Sequence, residues 1–102
     1  MKSGQAITLL RAHEAELRAV GVEKLSIFGS VARDAAGAQS DIDVVVRLSP
    51  EARRGGFAYI ARLDALNIRL QDILGCRIDL MAEPIRRDSL RRNIEREALL
   101  AF

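Results

Sequence analysis

The chain has 102 residues, 49% of them hydrophobic, and 16 Lys+Arg against 14 Asp+Glu for a net charge of +2. These proportions exclude a disordered or low-complexity chain, and a charge of +2 gives no ground for nucleic-acid binding. No apolar run approaches the ~20 residues of a membrane helix. One cysteine, Cys76, excludes an internal disulfide framework and fits a reducing cytoplasm. Residues 1–102 are read as a single small domain, with no room for a separate substrate domain.

Residues 4–20 read as an amphipathic helix with Ile7, Leu10, Leu17 and Val20 inward, Ser3 as its N-cap and Gly21 as its stop. Leu25-Ser26-Ile27-Phe28 is a short strand that ends at Gly29-Ser30, and a helical turn follows through Val31-Ala32-Arg33. Asp34 to Ser40 is small and polar, hence a loop. Asp41 to Leu48 is a β-branched strand, ended by Ser49-Pro50. After an irregular stretch with Gly55-Gly56, a long helix runs from about Phe57 to Leu74, with Ile60, Leu63, Leu66, Leu70 and Leu74 inward and Gly75 as cap. Cys76 to Met81 is a third strand, and residues 88–101 form a last helix. The order α-β-α-β-α-β-α gives an α/β layer structure with a three-stranded sheet.

Chemistry concentrates in the strands. Alternation puts Asp41 and Asp43 on one face, opposite Ile42, Val44 and Val46. Two carboxylates so placed repel each other unless a cation neutralises them, and hard oxygens on a rigid strand suit Mg²⁺. The third strand repeats the pattern, with Ile78 and Leu80 on one side and Asp79 on the other. If the apolar sides share the core, all three aspartates share the opposite face. Gly29 permits a tight turn and close backbone approach, and Ser30 adds a hydroxyl to the N–H groups that open the next turn. The connection over residues 31–40 is short enough for antiparallel neighbours, which brings this phosphate cradle beside the aspartates. Arg33 either reaches a phosphate or braces the loop by pairing with Asp34 or Asp41.

Phe28-Gly29-Ser30-Val31-Ala32-Arg33, then Ser40-Asp41-Ile42-Asp43-Val44, then Gly75-Cys76-Arg77-Ile78-Asp79-Leu80 resemble the minimal nucleotidyltransferases of the polymerase β-like superfamily. The family pattern Gly-Ser-x10-Asp-x-Asp is matched in full by Gly29, Ser30, Asp41 and Asp43, and Asp79 matches its third metal ligand. The resemblance implies a mixed sheet, two Mg²⁺ ions held by Asp41, Asp43 and Asp79, and nucleotide binding by Gly29 and Ser30, with Arg33 as a further candidate. It also implies transfer of a nucleoside monophosphate, AMP from ATP, to a tyrosine hydroxyl of a HEPN-type toxin for which the chain is the antitoxin. The sequence departs from the family pattern at Asp34, where glycine is usual, and in the loop Ala35–Gln39, which lacks the usual arginine and proline. Two other functions stay open: a non-catalytic antitoxin that neutralises its partner by occlusion, and an aminoglycoside-type transferase acting on a small acceptor.

Other polar residues read as structural. His13 is the sole histidine and lies on a helix face, Cys76 reads as a small buried hydrophobe, and Tyr59 packs on the long helix. Arg86, Arg87, Arg91, Arg92 and Arg96 crowd the C-terminal segment. They read as a solvated helix face, with a docking surface for an acidic partner as the alternative.

Overall fold

The structure is a computed structural model that describes residues 2–32 and 41–102, with Ser30 and Val31 described in their backbone alone. Helices α1 (Ser3–Ala12) and α2 (Glu14–Ala19) lead into strand β1 (Val22–Phe28) and a single turn, α3 (Gly29–Ala32). Strand β2 (Ile42–Leu48), helix α4 (Phe57–Leu74), strand β3 (Ile78–Ala82), helix α5 (Asp88–Glu97) and strand β4 (Leu99–Leu100) complete the order. The sheet is four-stranded in the order β3-β2-β1-β4. β2 runs antiparallel to β1 and parallel to β3, and β4 pairs antiparallel with β1. The mixed α+β class expected from the sequence is present, and the β1–β2 antiparallel neighbours are as expected.

The expected three-stranded sheet is corrected to four strands, and the last helix ends at Glu97 instead of continuing to residue 101. Ala98 takes an extended conformation (φ −68°, ψ 142°), which turns the chain out of the helix. The segment then runs along β1: Ala101 N–H donates to Leu25 C=O at 2.8 Å and Leu25 N–H to Phe102 C=O at 2.9 Å. Ala101 is buried in the core, and residues 99–102 cover the otherwise open edge of β1. Two residues of strand are too few to show a period of two, which is why this strand is not readable in the sequence.

The helices α1, α2 and α4 cover one face of the sheet. Ala6, Leu10 and Leu17 meet Leu25 and Ile27 of β1, Ile42, Val44 and Val46 of β2, and Leu66, Leu70 and Leu74 of α4 in one cluster. The expected first helix breaks at His13, whose φ of −109° and ψ of 16° leave the helical region. Its N-cap is Lys2, not Ser3; the Lys2 N–H is capped by Gln5 Oε1 at 3.0 Å. Val20, expected inward, is 59% exposed because it lies beyond the last helical residue as the C-cap. Ile60, also expected inward, is exposed, since the buried residues of α4 start only at Leu66. Gly21 (φ +104°) and Gly75 (φ +70°) end their helices as expected. A Cβ on Gly21 would stand 2.5 Å from the Ala52 Cβ, so that turn also needs the missing side chain.

Among the described residues no helix is long and apolar enough to cross a membrane. Cys76 is partly buried and free, and burial pushes its thiol pKa up, with Asp41 adding to the rise, so it stays in the unreactive protonated form. On α5, Arg91 pairs with Asp88 at 3.0 Å, and Arg96 donates to Asn93 at 2.6 Å, as a solvated helix face does.

Candidate active site

The face of the sheet left by the three helices carries the acidic residues. Register pairs β2 and β3 residue by residue, and Asp43 stands beside Asp79. On its other side, across the antiparallel β1–β2 ladder, Asp43 faces Phe28. Paired residues on neighbouring strands project to one face, so Asp43 and Asp79 leave the sheet together. The reason lies in the strands themselves: Ile42, Val44 and Val46, with Ile78, take the core side, and the alternating aspartates take the other.

Asp43 is half-buried, whereas Asp41 and Asp79 are exposed. Burial raises the pKa of Asp43 above the usual carboxylate range; the charge of Asp79, a hydrogen bond between the two carboxyls, and the charge of Asp41 push it the same way. Negative charge gathered in this way, with carboxylates as the charged neighbours of Asp43 among the described residues, is electrostatically unfinished. Hard oxygens in that setting suit a divalent cation such as Mg²⁺ in donor chemistry. Asp41 stands differently. The register places it one step before the Ile42–Ile78 pair, opposite Arg77, whose Nε lies 3.4 Å from Asp41 Oδ1. Accordingly, no group of three His, Cys, Asp or Glu side chains among the described residues is already gathered for a metal ion. Asp43 and Asp79 stand side by side in register, and Asp41 stands one step away beside Arg77.

Gly29 closes the site from the β1 side. Its φ is +75°, a region that favours glycine, and a Cβ built on it would clash with Asp43 Oδ2. The turn therefore approaches the half-buried carboxylate as closely as backbone can. Ser30 follows in α3, which places its backbone beside that turn. Arg33, Asp34 and the loop to Gln39 lie outside the described residues.

Arg77 is the residue that sequence reasoning missed. It lies two residues before Asp79, and the parallel register that sets Asp43 beside Asp79 also sets Asp41 opposite Arg77. That signal was available once the β2–β3 register was known. A groove of about 320 Å³ lies elsewhere, between α2 and α4, and is lined largely by Leu17, Val20, Leu48, Ala65 and Leu66. An apolar hollow with no cluster of acids is a poor place for phosphoryl chemistry, so the aspartate face outweighs it as the candidate site.

A family model for the nucleotidyltransferase domain matches residues 10–101. The chain belongs to the nucleotidyltransferase domain family. The protein adenylyltransferase MntA of Thermococcus cleftensis is 28% identical over 93 residues, 90% of this chain and 88% of that protein. A solved structure described as a minimal nucleotidyltransferase superposes with a TM-score of 0.73 at 26% identity, over 97% of this chain and 95% of that one. A chain in the complex of a tri-AMPylated Shewanella oneidensis HEPN toxin with an MNT antitoxin superposes with a TM-score of 0.60 at 16% identity, over 94% of this chain and 71% of that one. At that identity the likeness is one of fold. As a nucleotidyltransferase, the chain needs a face that holds a triphosphate and takes a proton from an acceptor hydroxyl. The aspartate-bearing face beside Gly29 offers carboxylates, which can accept a proton or ligate a divalent cation.

Proposed function

We propose that this nucleotidyltransferase is an antitoxin that moves AMP from ATP to a hydroxyl, a tyrosine hydroxyl in our reading, of a HEPN-type toxin in an Mg²⁺-dependent reaction. The observation that carries the proposal is the juxtaposition of Asp43 and Asp79 next to a glycine turn that a side chain would block. The adenylyl chemistry and the toxin partner draw support from the relatives, one a protein adenylyltransferase and one an MNT antitoxin in complex with an AMPylated HEPN toxin.

Asp43 and Asp79, joined by Asp41 once it leaves Arg77, are the residues that would hold the divalent cations. Bound cations would neutralise the triphosphate and the carboxylates together. Gly29 and the following Ser30 hold the phosphates of ATP in this reading, and Arg33 is a further candidate for that role. The acceptor oxygen attacks the α-phosphorus, the bond from that phosphorus to the bridging oxygen breaks, and pyrophosphate leaves. The hydroxyl proton passes to an Asp79 carboxylate oxygen, the exposed member of the pair.

The test uses the purified chain, Mg²⁺, each NTP in turn and the protein encoded beside it, read by intact mass spectrometry. The expected result is added AMP on the partner, absent with Asp41→Asn/Asp43→Asn. A stable, silenced complex with no added mass would overturn transfer in favour of occlusion. Transfer to a small acceptor without any protein partner would overturn the toxin assignment.

A further inference from the structure

The three aspartates of the site do not share one arrangement. Asp43 and Asp79 are register partners on the parallel strands β2 and β3. The carboxylate of Asp41 instead has the guanidinium of Arg77 beside it, with Nε at 3.4 Å from Oδ1. Backbone holds that second pair in place. The Ile42 N–H, next in the chain after Asp41, donates to the Arg77 C=O at 3.0 Å. The parallel ladder then carries the same register from Ile42–Ile78 onward. Asp41 and Arg77 therefore start from neighbouring, fixed points on two strands, so their meeting follows from the sheet. Arg77 is two residues, about 7 Å along the chain, from Asp79.

We infer that Arg77 is a positioning residue: it occupies Asp41 while the site holds no divalent cation, and its release of Asp41 sets the cation concentration at which the site fills. This rests on the reading of the aspartates as cation ligands given above. The guanidinium and the divalent cation are competitors for one carboxylate, since an Asp41 oxygen turned to Arg77 is not turned to the Asp43–Asp79 pair. The competition is weak by design of the site. Arg77 is 83% exposed and Asp41 45% exposed, so water takes over readily from either partner. An exposed pair of this kind is worth about 0.2–1 kcal/mol. The corresponding shift in cation affinity is about 1.4- to 5-fold, enough to move a threshold without closing the site.

Mn²⁺ binding to the nucleotide-free full chain tests this, with free Mn²⁺ followed by electron paramagnetic resonance. Arg77→Ala should tighten binding by about 1.4- to 5-fold, and Arg77→Lys, which keeps a cation at the position, should stay closer to the wild type. In an Asp41→Asn background Arg77→Ala should leave binding unchanged, because the competition runs through Asp41. Arg77→Ala with unchanged or weakened Mn²⁺ binding would overturn the inference and leave the cation site intact. An equal gain in the Asp41→Asn background would also overturn it, reducing Arg77 to a general positive charge near the site. A wild type that binds no more Mn²⁺ than Asp43→Asn would instead overturn the cation reading of the aspartates, and the role of Arg77 with it. Circular dichroism of each variant confirms that all are compared as folded proteins.

Discussion

A side chain on Gly29 would clash with Asp43 Oδ2. A strand end and a half-buried carboxylate share one small volume, and the φ of +75° at Gly29 is the backbone conformation that makes the sharing possible. Two separate requirements, conformation and space, thus fall on the same residue.

Gly29→Ala therefore costs more than its conformational strain. The left-handed conformation alone costs an alanine about 1–2 kcal/mol. The displaced Asp43 carboxylate adds loss of function. The expected outcome is a fall in thermal midpoint of roughly 4–15 °C, together with loss of nucleotide transfer beyond what partial unfolding explains. Transfer assayed well below the midpoint separates the two; full activity there would show that Asp43 does not need its present place.

Asp43 carries a pH and cation signature. Its folded pKa is raised, by burial first and then by Asp79 and Asp41. A raised carboxyl contributes stability that is present below its unfolded pKa and lost as pH rises through the folded pKa. Without cation, ionised Asp43 therefore costs stability at neutral pH. Asp43→Asn should raise the midpoint of the cation-free protein by about 1–3 °C at pH 7.5, because solvent screening keeps the gain below ~1 kcal/mol. Mg²⁺ should then stabilise the wild type and leave the variant unmoved. Calorimetry with and without Mg²⁺ checks both, and equal Mg²⁺ responses would remove Asp43 from the cation-holding set.

Much of this molecule was legible in the sequence where side-chain period and turn chemistry agree. β2 declares itself through Ile42, Val44 and Val46, and its face assignment follows with that of Asp43. Gly21 and Gly75 end their helices as their chemistry dictates. What was not legible depends on partners distant in the chain. β4 exists because Leu25 offers its backbone to residues 101 and 102. The Asp41–Arg77 pair exists because β2 and β3 are parallel in one register. Val20 and Ile60 have the right spacing for burial, and the position of the helix ends leaves them exposed.

Leu70 and Val20 turn that contrast into a measurement. Both were inward by spacing, yet Leu70 is 0% exposed and Val20 59%. Leu70→Ala leaves a cavity among packed side chains and should cost about 2–5 kcal/mol. Val20→Ala should stay within about 0.5 kcal/mol. Urea unfolding of the two variants checks this, and comparable losses would place Val20 in the core.

The Glu16–Arg69 pair sets an acid limit. Arg69 donates Nε to Glu16 Oε2 at 2.5 Å and Nη2 to Oε1 at 2.8 Å, joining α2 to α4 across 53 positions of chain. The two hydrogen bonds from Arg69 are the main cause that lowers the Glu16 pKa from 4.5 to about 2. A depressed carboxyl contributes stability that is present above its unfolded pKa and lost as pH falls through its folded one. The contribution of Glu16 is therefore complete above about pH 4.5 and disappears towards pH 2. Arg69→Gln removes the main cause, since a neutral amide cannot hold the carboxylate ionised at low pH, and leaves the smaller effect of His13. The variant should lose stability relative to wild type at pH 6 and converge with it near pH 2. Because both groups are solvent-exposed, the difference at pH 6 is small, and salt should narrow it further. Thermal midpoints of the two proteins from pH 6 to pH 2 test the sign directly: a gap that widens with falling pH would mean that Glu16 is not the group held by Arg69.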